Sequence, residues 1–221
     1  VKLTLNGHAC VTIEAADGRI LVTDPYLHGA FGGKITHAPV RVAADVVWVS
    51  HGHIDHSHVT PELGPGDGAL PIIVDRSGTA GGIEFRVRST YHDREGGTRM
   101  GMTGMVAFEI DGVAIAHLGD IGCDLTPEDV AALGPVDLLL WPVGGTYTLG
   151  PKDASAVLDA LQPRLAIPIH FEHERCQLGM EPVEALTPHL QVPWSRPGTS
   201  TWQSDAGLPE STEVLILEPA L

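Results

Sequence analysis

Four potential metal ligands fall within six residues at His51-Gly52-His53-Ile54-Asp55-His56, directly after the apolar run Val46-Val47-Trp48-Val49-Ser50. In an extended segment, residues two apart point to the same side, so His51 and His53 can share one cation. Gly52 lets the backbone pass close by. Asp55 and His56 then stand where the chain turns, toward a second cation. Neutral imidazoles with a carboxylate suit Zn, Mn or Fe. A histidine-rich surface loop would hold the same residue types, but such loops rarely follow a run this apolar with an aspartate in register.

Three later segments repeat the pattern of an apolar run ending in a ligand. Residues 85–90 lead to Tyr91-His92-Asp93, residues 113–118 to Gly119-Asp120, and residues 165–169 to His170. Taken singly, His92 reads equally as a turn residue, Asp120 as a turn-former before Gly122, and His170 as a satisfied core histidine. Jointly they bring the set to five imidazoles and two carboxylates, which is what two cations need. Ligands at the carboxyl ends of successive strands converge on one rim of a sheet, where open α/β folds place their sites.

The elements that must position these residues are mostly strands. Short β-branched runs cut by Gly, Pro and Asp predict strands over residues 2–5, 10–14, 19–23, 45–50, 71–74, 83–89, 105–110, 113–118, 137–142, 165–169 and 213–217. Asp17-Gly18 and Asp111-Gly112 separate neighbours as hairpin turns. Thr126-Pro127-Glu128-Asp129 supplies an N-cap, a first-turn proline and first-turn acids for a helix running into Leu133. Ala154, Val157, Leu158 and Leu161 are spaced for a helix over 153–161. A third helix is expected after His56, through Glu62, and a fourth near 183–190. The stretches 63–67 and 193–208, rich in Pro and Gly, read as loops. Many strands followed by alternating strand and helix make a sheet-rich α/β chain with helices outside.

Composition narrows the function classes. With 221 residues, 43% of them hydrophobic, the chain suits one domain over residues 1–221 with ample core. No apolar run approaches the ~20 residues that cross a bilayer. The start, Val1-Lys2-Leu3-Thr4-Leu5-Asn6, reads as a strand rather than a signal peptide, so a soluble cytoplasmic protein is expected. Thirteen Lys+Arg against 28 Asp+Glu give −15, which repels a phosphate backbone and argues against nucleic acid as a partner. Three scattered cysteines form neither a zinc ribbon nor a disulfide framework, and read as buried or semi-buried thiols. Twelve histidines are many for this length and are the compositional hint of metal.

His51-Gly52-His53-Ile54-Asp55-His56 resembles the HxHxDH signature of the metallo-β-lactamase superfamily. The segments Gly7-His8-Ala9-Cys10, Ile20-Leu21-Val22-Thr23-Asp24-Pro25, His117-Leu118-Gly119-Asp120, Pro142-Val143-Gly144-Gly145-Thr146-Tyr147-Thr148 and Ile167-Pro168-Ile169-His170 are similar to its branch of ascorbate-phosphate-lactonase-like and related metal-dependent hydrolases. The resemblance implies a four-layer αβ/βα sandwich, two mixed sheets face to face with helices outside. It implies one metal on His51, His53 and His92, a second on Asp55, His56 and His170, and Asp120 bridging them. The implied cofactors are two divalent ions, Zn first, with Mn and Fe as alternatives. Ser57-His58 stands where many superfamily hydrolases carry Gly, which weakens analogy to thiolesterases and acyl-homoserine lactonases. His53 in place of Glu argues against the oxygen-reducing diiron branch.

The expected reaction is hydrolysis of an ester, lactone, amide or phosphodiester of a small substrate, anionic or neutral, by a hydroxide held between two metals. Asp55 and Asp120 are the catalytic candidates. The alternatives are a mononuclear iron enzyme of redox or sulfur chemistry, or a non-catalytic, metal-stabilised binding protein. The resemblance leaves a homo-oligomer open, since relatives form dimers and larger rings. Around the ligands, Asp24 reads equally as an orienter of a metal-bound imidazole and as a turn acid before Pro25. His8 reads as structural, His58 and His173 as solvated, and His117 as a half-buried strand residue. Tyr147 is the candidate substrate-facing side chain.

Overall fold

The computed structural model describes residues 1–66 and 68–221. Its first strands are β1 (Lys2–Gly7), β2 (Cys10–Glu14), β3 (Ile20–Thr23), β4 (Val46–Trp48) and β5 (Ile72–Val74). There follow β6 (Gly78–Ala80), β7 (Ile83–Tyr91), β8 (Met102–Ile110), β9 (Val113–His117), β10 (Leu138–Pro142) and β11 (Leu165–Ile169). The last are β12 (Trp194–Ser195), β13 (Thr201–Gln203) and β14 (Glu213–Leu215). They form two mixed sheets, one ordered β13-β1-β2-β3-β4-β5 and the other β12-β14-β11-β10-β9-β8-β7-β6. The fold class is the one expected.

Strand periodicity decides which side chains meet between the sheets. On β2 to β4, Val11, Ile13, Leu21, Val46 and Trp48 face the second sheet and join Phe85, Met105 and Ile115 in one core. The alternate positions, Cys10, Val22 and Val47, face outward. There the cover is not a regular helix. Irregular chain carrying Tyr26, Ile35, Val40, Leu63 and Cys176 packs on that face, with one short turn, α1 (Ala30–Gly33).

The second sheet carries the two regular helices, α2 (Pro127–Leu133) and α3 (Pro151–Leu161). At the start of α2, Thr126 and Asp129 form a reciprocal capping box. Arg88 on β7 bonds Asp129 Oδ1 at 2.8 Å, and Arg86 donates to Leu133 O at 2.8 Å, so one strand holds both ends of the helix. Trp141 on β10 donates its Nε1–H to Ala154 O at 3.1 Å, fixing α3.

Two expected helices do not form. After His56 there is only a 3-10 turn, Pro61–Leu63. His58 N is bonded to Pro25 O, and Pro61, Gly64 and Pro65 interrupt any longer ladder. Between 183 and 190 the chain makes two 3-10 turns, Val183–Ala185 and Thr187–His189, because Pro188 has no N–H to continue an α-helix. The stretch 193–208 is more ordered than a loop. It holds β12 and β13, which pair with β14 of one sheet and β1 of the other. In the predicted loop 63–67, Asp67 lies outside the described residues. Among the described residues no helix is long and apolar enough to cross a membrane.

Candidate metal centre

The seven predicted ligands meet at one rim, because each follows the same end of a strand. His51 to His56 follow β4, His92 follows β7, Asp120 follows β9 and His170 follows β11. Those strands run in one direction within their sheets, so their exits lie side by side. The two sheets close tightly here. Gly104 N donates to Ser50 O at 2.8 Å across the gap, and a Cβ on Gly104 would lie 2.9 Å from the Trp48 ring.

One oxygen is the hub. Asp120 Oδ2 lies 3.0 Å from His56 Nε2, 3.2 Å from His170 Nε2, 3.4 Å from His92 Nε2 and 3.8 Å from His51 Nε2. His51 Nε2 is 2.8 Å from His53 Nδ1, so those two imidazoles aim at a common point. His51, His53 and His92 form one group whose ligand atoms all lie within 4.8 Å of one another. His51, His56 and Asp120 form another, and His8, Asp55, His56 and His170 a third.

His8 is the residue that sequence reasoning set aside as structural. Its Nε2 lies 3.1 Å from Asp55 Oδ2, its ring packs 4.1 Å from that of His170, and its carbonyl accepts His170 N at 2.9 Å. The other ring nitrogen is 3.4 Å from Cys176 Sγ. The available signal was position: His8 ends β1 on the same rim. It also follows a glycine whose Cβ would strike the His37 ring at 2.7 Å.

Asp24, at the end of β3, is fully buried. It takes Ser50 N and Ser50 Oγ at 2.7 Å each and lies 3.1 Å from His56 Nδ1. Ser50 Oγ is in turn 2.9 Å from His51 Nδ1. Through these contacts Asp24 touches His56 directly and His51 by way of Ser50. His8, Asp24 and His170 all hold left-handed backbone, with φ of 56°, 39° and 54°. Such conformations cost about 1–3 kcal/mol each for non-glycine residues and gather where function fixes a side chain.

Burial raises the cost of charge on Asp120 and Asp55, yet the surrounding imidazoles win and hold both carboxyls well below the usual range. Burial also opposes charge on His56, and the Asp120 and Asp55 carboxylates outweigh it, raising His56 well above an ordinary histidine. His51, without a carboxylate that close, is pushed down to about 3 by burial and by His56. Burial likewise takes His8 down to about 4.

The donor set suits cations. Asp55 Oδ1 and Asp120 Oδ1 are buried among these imidazoles without a hydrogen-bond partner among the described residues. Each such atom costs about 1–3 kcal/mol, more than a marginally stable chain leaves unmet in one place. Mixed nitrogen and oxygen donors match Zn, Mn or Fe.

Other candidates are sorted by the same geometry. Tyr147 lines the cavity over the centre and donates its hydroxyl to Leu178 O at 3.2 Å. His58 lines a different cavity, beside Pro25 and Thr60. His173 stacks on His37 at 5.5 Å and does not line the cavity over the centre. His117 is fully buried rather than half-buried, bonded between Ala9 O and Gly119 N. Cys10 and Cys176 are buried thiols, each raised by burial to about 12, and Cys123 is partly exposed; all three are free.

A model of the β-lactamase superfamily domain matches residues 2–170. A solved Thermotoga maritima protein, described as a candidate Zn-dependent hydrolase of the metallo-β-lactamase superfamily, superposes with a TM-score of 0.75 at 32% identity. The match covers 98% of this chain and 99% of that one. A metal-dependent hydrolase of Thermococcus onnurineus is 30% identical over 193 residues, covering 77% of this chain and 84% of the relative. One from Carboxydothermus hydrogenoformans is 28% identical over 194 residues, again 77% of this chain and 84% of the relative.

Proposed function

The chain belongs to the β-lactamase superfamily, and from that premise we propose that it is a metal-dependent hydrolase acting on an ester, lactone, amide or phosphodiester bond of a small molecule. The observation that carries this reading is Asp120 Oδ2, with imidazole nitrogens from three separate strand ends 3.0 to 3.8 Å away. A carboxylate so surrounded would serve both groups of imidazoles if two cations were bound. His51, His53 and His92 would hold one ion and Asp55, His56 and His170 the other, with zinc the first expectation. When bound, two divalent ions supply a water acidified to near neutrality and shared between them, and a clamp for a developing oxyanion.

The chain's own residues orient and shield. Asp24 holds His56 by Nδ1 and, through Ser50, steadies His51, leaving the Nε2 atoms on the site side. His8 secures Asp55 Oδ2 and leaves Oδ1 without another partner. Phe31, Ile54, Met100 and Leu178 wall the cavity with apolar surface and reduce water access. Among the described residues the candidate ligand groups include two carboxylates, Asp55 and Asp120, so a site holding two divalent ions would keep positive charge and would favour a substrate oxyanion. The buried thiols, raised to about 12, are poor nucleophiles and are not required.

Elemental analysis of untagged protein beside His53→Ala and Asp120→Ala tests this. About two equivalents of Zn or Mn are expected, falling in both variants, with hydrolysis of a lactone, thioester and phosphodiester panel lost in Asp120→Ala. One equivalent of iron would favour redox chemistry. No metal after reconstitution, or full activity in Asp120→Ala, would sink the assignment.

A further inference from the structure

The cavity over the metal donors encloses about 450 Å³. Beyond the donors and Gly52, its lining is Phe31, Ile54, Met100, Tyr147 and Leu178, with a single cation, Lys34. Phe31 and Ile54 are 50% and 46% exposed, so two large apolar side chains stand in water at the one place where a ligand would cover them.

Lys34 is set apart by its place at this cavity; Lys152 too lacks an ion pair among the described residues, but it does not line the opening. In a chain of 28 acids, Arg19, Arg88, Arg94 and Arg196 all sit on carboxylates. The Lys34 ammonium has no ion pair or hydrogen bond among the described residues, and it lines the cavity. Its backbone, by contrast, is held. Lys34 O accepts Gln177 N at 2.9 Å, Thr36 N donates to Arg175 O at 2.8 Å, Gly29 N donates to Ile35 O at 2.8 Å, and Ile35 bridges Cys176.

That pinned turn also carries strain. Phe31 sits at φ 54° between glycines at 81°, 72° and 89° (Gly29, Gly32 and Gly33). Left-handed backbone at an aromatic residue costs about 1–3 kcal/mol. Core packing does not explain it, because the ring is half exposed. The turn fixes an aromatic face and an unpaired ammonium beside the same opening.

We propose that the cavity takes a small apolar molecule bearing an anionic group remote from the scissile bond, with Phe31 and Ile54 covering the apolar part and Lys34 reading the charge. The identity of the reaction rests on the hydrolase reading above; the binding preference does not. Phe31 and Lys34 are specificity-determining residues.

The test is calorimetric binding of 4-phenylbutyrate and its neutral isostere 4-phenylbutanamide to the protein as purified, with its metal content measured. The readout is the affinity ratio of acid to amide within each variant, which cancels any loss of folded protein. Wild type should favour the acid, with about 5-fold of that preference coming from Lys34, the scale of one partly exposed charge pair. Lys34→Ala should lower the ratio by about that factor whatever the metal centre itself adds, and Lys34→Arg should keep it. Phe31→Ala should weaken both ligands and leave the ratio. A ratio preserved in Lys34→Ala, no preference in wild type, or no binding of either probe at millimolar concentration overturns the inference. Charge-selective binding without turnover of any ester would remove the hydrolase reading and leave this one standing. Hydrolysis without charge preference would do the reverse.

Discussion

Asp24 accepts from Ser50 and lies against His56 Nδ1, and it is the second carboxylate layer behind the proposed ligands. Burial pushes its carboxyl up, but the His56 contact and nearby charge hold it below the ordinary range, so it stays an acceptor. Acceptors behind metal-bound histidines fix tautomer and ring angle, and removing one typically costs 10–100-fold in metal affinity. Asp24→Ala should therefore weaken zinc binding by about 10- to 100-fold in a chelator competition, with the Asp120 ligand intact. Unchanged affinity would mean that packing alone orients His56 and His51.

The one helix that seals the outer strands of the second sheet depends on a titratable cap. Burial opposes charge on Asp129, yet its bonds from Arg88 and Thr126 outweigh that and lower its pKa. An unfolded aspartate titrates at about 3.9. A folded pKa below that value means the stabilisation is complete above it and is lost as pH falls through the folded value. Urea unfolding of wild type and Asp129→Asn should show a stability gap that is full at neutral pH and closes in acid. A gap that ignores pH would assign the effect to packing. At the same scale, the cradle made by Asp93 orders the loop after β7: its oxygens accept Glu95, Gly97, Arg99 and Met100 N–H, and Met100 lines the cavity.

Across the whole molecule, the site is a seam between two sheets. Gly104 permits the approach, since an added Cβ would lie 2.9 Å from the Trp48 ring and 3.1 Å from Ser50 O. Gly104→Ala should cost about 1–3 kcal/mol in denaturant titration, the usual range for overpacking, and should disturb metal binding through Ser50. An alanine variant of full stability would show that the seam is looser than these distances imply. The seam also ties metal to folding. Each cation bound only to the folded state at 1,000 times its dissociation constant adds about 4 kcal/mol. At about 2–4 °C per kcal/mol for a chain of this size, loss of even one ion on chelation should lower Tm by about 10 °C, and Zn or Mn should restore it. A Tm unmoved by chelation would mean that the folded chain holds no tightly bound cation.

The sequence by itself determined most of the strands, though not β6, β12 or β13, and the residues at their ends. Alternation along Val11–Ile13 and Val46–Trp48, the turn at Asp111-Gly112, and polar residues beyond apolar runs are local signals, readable because strand side chains alternate faces within a few residues. All seven proposed ligands were legible on that ground, and the capped helix from Thr126 followed from its first four residues. The tertiary structure alone decided which distant strand ends share a rim. That sharing drew in His8, whose partners Asp55, His170 and Cys176 lie far along the chain. It also decided that irregular chain, not helix, covers the first sheet: packing by Tyr26, Ile35 and Leu63 buries that face without backbone periodicity, and sequence pattern registers only periodicity. Phe31 and Lys34 carried no readable recognition pattern for the same reason. Their meaning lies in a cavity assembled from distant parts of the chain, and no local pattern encodes which side chains remain unpaired once those parts meet.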